Sequence, residues 1–383
     1  MLKAQTLHPK ELSVTDTKRW RQVAAAHPAF ASPLFSPEFA QAVGQVRDDA
    51  RVSIFERDGE TLGFLAHHRR PGGLARPIGA PLADYHGLVS TADAGVRAPW
   101  LLAAAGLAAY RFTGLVDPFG VFQADVAARN ESHLVQLTDG DAEGYLETVR
   151  AASAKKFKNW RRLDHKLGRD VGELRLVGPD HSREAFDTLV AWKREQLRRT
   201  GIHDFLSPAW VSRLFDNFFE AREGAFQGLM LNLYAGDRLV AGQFGVRLGN
   251  VYHPWLASAD PELNAYSPGQ LFLWRAIAAM PELGLSNFDL GPGHDHYKRP
   301  YAQTQLEVGE GLAAAASSAG RMARSREQAW AAAGAHGAGL AGKLRRRLDI
   351  IATVELSITG RALGFAQAIT DQTRRRGPER FTI

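Results

Sequence analysis

Alternating apolar and polar positions divide this chain into two similar series of elements. Residues 51–67, RVSIFERDGETLGFLAH, read as two strands joined at Asp58-Gly59, a dipeptide that supplies the positive backbone torsions of a tight hairpin. Residues 229–248, LMLNLYAGDRLVAGQFGVRL, repeat the plan around Gly236-Asp237. In both, an aromatic residue precedes the turn (Phe55, Tyr234) and a glycine follows it (Gly63, Gly242). Helical periodicity flanks each hairpin, over 17–26, 36–46 and 94–110 in the first case and over 182–200, 208–221 and 267–282 in the second. The pattern predicts an α/β (α+β) protein with two halves of like build, 1–150 and 151–312, followed by a helical tail at 313–383.

Between the halves, SAKKFKNWRRLDHKLGR (153–169) reads as a helix with Phe157, Trp160, Leu163 and Leu167 on one stripe. Lys155, Lys158, Arg162 and Lys166 line a neighbouring face. That face is either the solvated side of a linking helix or a clamp in which Lys158 and Arg162 reach a diphosphate-bearing substrate. In the tail, 320–333, 340–350 and 354–376 read as helices interrupted by GAHGAGLAG, and together they look like an appendage.

Composition narrows the chemistry. An apolar content of 45% over 383 residues is enough for real cores. With no cysteine, disulfides, thiolate nucleophiles and cysteine-held metals are excluded. The first residues, MLKAQTLHPKELSVTDTKRW, lack a signal-peptide core, and the apolar run at 98–110 is too short to span a bilayer and fits a buried helix. A cytoplasmic protein is expected. The net charge of +6 sits in the tail, where 313–383 carry twelve Arg or Lys against five acids. The remaining body is nearly neutral, so a general nucleic-acid partner is not expected.

The densest chemistry lies between residues 250 and 302. NVYHPWLAS (250–258) reads as a strand, and QLFLWRAIAAM (270–280) as an apolar helix. Ser267 suits the N-cap, Pro268 the first helical position, and Gly269 a close backbone approach, with Gln270 following. Such a helix start either cradles a phosphate or is plain capping. The next strand, LSNFDLG (285–291), holds Asp289 among apolar neighbours, where a carboxylate has to be partnered or functional. The turn beyond it sets His294, Asp295, His296, Tyr297 and Lys298 side by side. That turn also reads as a solvated loop, and His294, Asp295 and His296 as a metal site, although no further ligands stand at a recognisable spacing. In the first half, Asp84-Tyr85-His86 lies between apolar turns and reads as lining an acceptor site or as surface. His67-His68 and Arg69-Arg70 read as surface.

The runs YSPGQLFLWRAI and NFDLGPGHDHYKRPYA resemble the CelD/BcsL-type acetyltransferases of bacterial cellulose and exopolysaccharide synthesis. These are a branch of the GNAT superfamily related to the FemAB-type peptidoglycan transferases. The resemblance covers roughly 150–310 well. It is looser over the first half, where SPLFSPEF and IGAPLADYHGLV look like the family's N-terminal part, and it omits the tail. Within exopolysaccharide systems the resemblance points to a holdfast-polysaccharide acetyltransferase. The resemblance implies tandem GNAT-like (FemAB-like) domains with a substrate cleft between them. It implies acetyl-CoA or another acyl-CoA as donor, with its pyrophosphate near Ser267–Gln270. It maps the Fem-type lysine that stabilises the reacting carbonyl onto Lys298, beside Tyr297. One departure is that the phosphate turn lacks the glycine-rich form of typical GNAT enzymes.

The implied reaction is N-acetylation of an amino sugar on a nucleotide- or lipid-linked exopolysaccharide precursor. It needs a base, a group to stabilise the carbonyl oxygen and a cleft to hold both substrates, but no metal. His296, Asp295, Asp289 and His253 are the candidate bases. Two other functions fit the same residues: a Fem-like transferase taking amino acids from tRNA, and a non-catalytic regulator. The tail's Arg345, Arg346 and Arg347 and its Arg374, Arg375 and Arg376 admit three readings. They form a solvated face, a patch drawn to the anionic inner membrane or the polysaccharide machinery there, or a site for cyclic di-GMP, whose base and phosphates suit guanidinium.

Overall fold

The computed structural model describes residues 2–91, 95–200, 202–292, 298, 300–335, 337, 339–357 and 359–365. The first half comprises β1 (Leu2–Leu7), α1 (Val14–Ala25), α2 (Pro37–Val46), β2 (Ala50–Arg57), β3 (Glu60–Arg70), β4 (Leu74–Pro77), β5 (Leu88–Ser90), α3 (Ala98–Ala104), β6 (Ala109–Leu115) and β7 (Val126–Gln136). Two helices, α4 (Ala142–Ala152) and α5 (Ala154–Asp170), lead to the second half. There follow β8 (Leu174–Val177), α6 (Arg183–Thr200), α7 (Ala209–Glu220), β9 (Phe226–Ala235), β10 (Arg238–Leu248), β11 (Val251–Ala259), α8 (Pro268–Ala278), β12 (Asn287–Pro292) and β13 (Thr304–Ala314). The tail holds α9 (Ser318–Ala332) and α10 (Leu340–Val354), and residues 359–365 are helical too.

Both expected hairpins form. Asp58 (φ 55°) and Gly59 (φ 86°) are both left-handed, as a type I′ turn requires, whereas at the second turn Gly236 (φ 57°) carries the positive torsion, the type II′ pattern. Each hairpin also has one extra residue in its second strand, Leu62 in β3 and Val240 in β10, so the repeat extends to the irregularity of the ladder. The apolar run 98–110 departs from expectation. Only Ala98–Ala104 is helical, and the chain then enters β6, because pairing with β4 and β13 outweighs the helix propensity of an alanine-rich segment.

Among the described residues all thirteen strands join one sheet, in the order β1-β2-β3-β4-β6-β13-β7-β12-β11-β10-β9-β8, with β5 beside β3. The middle of that order is an exchange. β7, the last strand of the first half, lies between β12 and β13, and β13, the last strand of the second half, lies between β6 and β7. Each half completes its sheet with the other's final strand. The sequence reading contained neither strand. The two halves also share a core: Phe39 of α2 stacks on Phe218 of α7 (6.3 Å, 10°), and Trp255 of β11 packs against both.

Each half contains one short parallel pair whose strands then diverge. β4 and β6 are in register at Leu74↔Ala109 and Ala75↔Tyr110; β11 and β12 at Val251↔Asn287 and Tyr252↔Phe288. In the second pair the divergence has a visible cause. Trp255 is an extra residue opposite Phe244 and Gly245, next to Pro254, which has no N–H to give, and a bulge there bends β11 away.

The tail is no appendage. Arg76 and Arg111 hold Asp349 of α10 (3.1 and 2.8 Å), and Arg111 also holds Glu327 of α9 (3.1 Å). Arg70 donates to the carbonyls of Ala352 and Thr353, and Trp210 donates from Nε1 to that of Val354 (3.0 Å), so the end of α10 is capped by residues of both halves. A composition rich in Ala, Gly and Arg suggests a loose segment, but here its few acids find buried guanidinium partners. His67 and His68, expected at the surface, are 0% and 1% exposed. His68 accepts from Gly79 N–H through Nε2 (2.9 Å) and faces Asp49 through Nδ1 (3.1 Å).

Candidate active site

The carboxylate that the sequence placed among apolar neighbours is fully partnered. Asp289 on β12 is 1% exposed; its Oδ1 accepts from the Tyr85 hydroxyl (2.7 Å) and the Gly291 N–H (2.8 Å). Its Oδ2 faces Nδ1 of His253 on β11 at 3.1 Å, an ion pair bent away from hydrogen-bond linearity. The other ring nitrogen of His253, Nε2, lies 3.1 Å from Oδ2 of Asp84. Ser132 of β7 is 2.5 Å from the Tyr85 oxygen, and since that hydroxyl is already donated to Asp289, the serine is the donor.

The three strands and the loop that carry these groups come from both halves. Asp84 and Tyr85 lie in the segment after β4 and cross to the divergence of β11 and β12, where the Tyr85 ring meets His253 edge-on (5.4 Å, 70°). They come so close because Gly114 of β6 has no side chain: a Cβ there would stand 1.9 Å from the Asp84 carbonyl oxygen.

The electrostatics follow from burial and pairing. Burial by itself pushes an imidazole's pKa down, but the carboxylates on either side of His253 win and lift it to about 9, so the ring is an imidazolium at neutral pH. Burial, with Asp289 next to it, pushes the Tyr85 phenol well above its usual range. Of the two acids on His253, Asp289 is buried while the Asp84 side chain is 30% exposed. Asp84 is therefore the member of the array that an acceptor can touch. Lys298 is 7% exposed and donates to the Pro292 carbonyl (3.2 Å). Its Nζ and Asp84 Oδ2 both flank Gly291, 4.0 and 3.2 Å from where a side chain there would begin.

A cavity of about 730 Å³ opens at the far end of β11, with Ser267, Pro268, Gly269 and Gln270 on its wall. Ser267 occupies the N-cap position of α8 but makes no side-chain capping bond, contrary to expectation. It takes a left-handed conformation (φ 53°, ψ 52°), a strain of roughly 1–3 kcal/mol that sites of function tend to retain. Open space lies around Gly269, and Lys193 and Arg199 of α6 line the cavity as well. Gln243, 6% exposed, also lines it, and its Oε1 has no hydrogen-bond partner among the described residues. From Ser258 at the cavity to His253 is about five strand residues, or ~16 Å, a span that an extended pantetheine arm covers. Tyr301 ties the two ends together: one turn beyond Lys298, it donates to the Gln270 carbonyl (3.0 Å) and stacks on Trp160 (5.2 Å, 10°).

The other predicted residues fall elsewhere. His86 accepts from the N–H groups of Thr113 (3.1 Å) and Gly114 (3.0 Å), and burial pushes its pKa down to about 3; it fixes the loop and cannot line an acceptor site. Lys158 and Arg162 stand exposed on the outer face of α5 and line none of the cavity. Arg345 is 4% exposed, paired with Glu327 and set over Trp330 (5.9 Å), so it is not open to a messenger. Arg346 is exposed and donates to Gly337 O (3.2 Å), and Arg347 is half-buried. Asp295, His296, Tyr297, Arg374, Arg375 and Arg376 lie outside the described residues. Among the described residues no group of three His, Asp or Glu is placed to hold a metal, and no helix is long and apolar enough to cross a membrane. Sequence reasoning missed Ser132, whose strand reaches this site only through the exchange, and Gln243, which looks like any polar residue in a hairpin.

Residues 154–299 match the acetyltransferase (GNAT) domain family. The fold is similar to that of FemX at 11% identity, covering 80% of this chain and 96% of FemX with a TM-score of 0.50. A tandem GNAT protein from the clavulanic acid biosynthesis pathway is 12% identical over 83% of this chain and all of its own, with a TM-score of 0.45. No curated protein matches the sequence. GNAT domains use acyl-CoA, and the α8 cavity, His253 and Asp289 lie within the matched segment, whereas Asp84, Tyr85 and Ser132 come from outside it. The chain therefore carries a GNAT-type acetyltransferase domain in a FemX-like two-lobed fold, and the protein is an acyltransferase.

Proposed function

We propose that the protein transfers an acyl group from acyl-CoA to the amine of an amino sugar carried by an exopolysaccharide precursor, on the cytoplasmic side of the membrane. One observation carries this reading: His253 spans two carboxylates at the end of a strand leading from the α8 cavity, and only Asp84 of the pair reaches solvent. In the reaction the amine nitrogen attacks the thioester carbonyl, the C–S bond breaks and CoA leaves as its thiolate, which takes its proton from solvent. Asp84 accepts the proton lost by the amine. The His253 imidazolium, held by Asp289, supplies positive charge beside it. Lys298 stands where charge on the carbonyl oxygen can be met.

The acceptor side also suits a sugar. A groove of about 400 Å³ begins at Leu115, next to the Gly114 on which Asp84 rests, and is lined by Asp117, Gln123, Arg129 and Glu307. Such side chains pair with hydroxyl groups. The test is release of CoA thiol from acetyl-CoA in the presence of nucleotide-linked sugars that have a free amine, an N-acetyl group or a hydroxyl at the same carbon. Thiol release only with the amine is expected. No release with any amino sugar would sink the acceptor assignment.

A second reading, aminoacyl transfer from tRNA, is favoured by the outer face of α5. Lys155, Lys158, Arg161, Arg162, Lys166 and Arg169 are all exposed there, a stripe that suits a phosphate backbone. Stabilisation in a thermal-shift assay by charged tRNA, steeply weakened by salt, with none by acetyl-CoA, would establish that reading in place of the first.

A further inference from the structure

The two parallel pairs can be aligned residue by residue from their first partners. Leu74↔Ala109 and Ala75↔Tyr110 correspond to Val251↔Asn287 and Tyr252↔Phe288. The next residue on each strand is His253 and Asp289 in the second half, and Arg76 and Arg111 in the first. Where one half places its candidate chemistry, the other places two guanidinium groups.

Those arginines are largely buried, with side-chain exposures of 20% and 10%. What meets them is the tail. Asp349 binds Arg76 (3.1 Å) and Arg111 (2.8 Å), Glu327 binds Arg111 (3.1 Å), and the Thr353 hydroxyl accepts from Arg76 (2.8 Å). Outside the tail, the acid nearest Arg111 is Glu310 at 3.5 Å. Arg70, 11% exposed, pairs through Nη1 with Asp49 (3.1 Å) and through Nη2 holds the carbonyls at the end of α10 a short way off. Burial pushes the Arg76 guanidinium's pKa down while Asp349 opposes the shift, so the anion offsets part of the cost of burying this charge.

We propose that Arg70, Arg76 and Arg111 form a second binding site, for a phosphate-bearing ligand, and that α10 fills it with Asp349 as a built-in competitor. Guanidinium forks onto phosphate at least as well as onto carboxylate, and a phosphate group offers more acceptor oxygens than one aspartate. A ligand entering there has to displace Asp349. The same event frees the α10 carbonyls from Arg70 and Trp210, so occupancy is coupled to release of the tail. This inference does not rest on the acceptor proposed above.

Inorganic pyrophosphate is the probe, titrated into the full chain by equilibrium dialysis with excess CoA present, so that the α8 cavity is already filled. Asp349→Asn should bind pyrophosphate about tenfold more tightly than the unaltered chain, because the competitor is weakened. Adding Arg76→Gln to Asp349→Asn should abolish binding. Indole fluorescence should change on binding, since Trp330 of α9 lies under Arg345 of α10 and Trp210 donates to the Val354 carbonyl at the end of α10. Should Asp349→Asn fail to fold, Glu327→Gln asks the same question from α9. Equal affinity with and without the competitor, binding that survives Arg76→Gln, or no binding to Asp349→Asn overturns the proposal. A nucleoside diphosphate in solution and vesicles carrying phosphatidate then compete with pyrophosphate. Success of either supports the site and names a soluble or lipid-borne source, and failure of both overturns it.

Discussion

The two halves share one plan, down to a two-residue parallel pair that then opens, but they place opposite kinds of charge at the opening. The second half has a histidine and an aspartate, groups that can take or give a proton. The first has two arginines, whose charge is permanent. The histidines show the same contrast. Burial pushes the pKa of His67 and His68 down to about 4 and that of His86 to about 3, so these three first-half imidazoles stay neutral. In the second half, His253 is lifted to about 9 because carboxylates reach both its ring nitrogens. A repeated scaffold thus does not dictate its chemistry. What decides it is which side chains the neighbouring segments deliver into the opening.

The largest test of that contrast is Asp84→Asn. Turnover should fall by about 10²–10⁴-fold, the range expected for loss of a general base, while the KM for acyl-CoA hardly changes. An unchanged rate would mean that the polar array is structural. Next, Arg111→Met leaves Asp349 and Glu327 of the tail short of a cation and should lower stability by about 3–5 kcal/mol in urea unfolding. Its pH–rate profile should keep its shape, since no reacting group is touched.

Acid and base should then act on the two halves in opposite directions. The raised pKa of His253 contributes stability that is complete below about 6.5 and is lost as pH rises through about 9, on the order of 3 kcal/mol. Neutral burial of His67 and His68 contributes stability that is complete above about 6.5 and is lost as pH falls toward 4, of similar size for each. Urea midpoints measured from pH 4 to 10 should show both losses, and His253→Asn should remove only the alkaline one. The smallest effect separates the two turns. Gly59→Ala should cost about 1 kcal/mol because its φ is positive, whereas Gly269→Ala, with ordinary torsions and open space, should leave the unfolding midpoint nearly unmoved and raise the KM for acyl-CoA.

Much of this was legible in the sequence. Both hairpins, the start of α8 and the isolation of Asp289 follow from periodicity and from the cost of a buried charge. Arg111 gave the same signal as Asp289, a lone charge in an apolar strand, but its segment read as the end of a helix. His86 was grouped with Asp84 and Tyr85, because nothing local reveals that the N–H groups of Thr113 and Gly114 will take up its ring. His67 and His68 read as surface because nothing local reveals that Asp49 and Gly79 will meet one of them. Ser132 could not be found at all. Its position depends on β7 crossing into the other half, a pairing between distant segments that leaves no local mark.

That crossing has a consequence for how the protein is made. When the ribosome has finished β6 and β7, neither has its β13 neighbour, because residues 304–314 have yet to be synthesised. At roughly 5–20 residues per second the two edges wait about ten seconds or longer, bare to any passing strand. A nascent chain halted between residues 140 and 300 should therefore be caught by chaperones or aggregate, while one released after residue 314 can close its sheet.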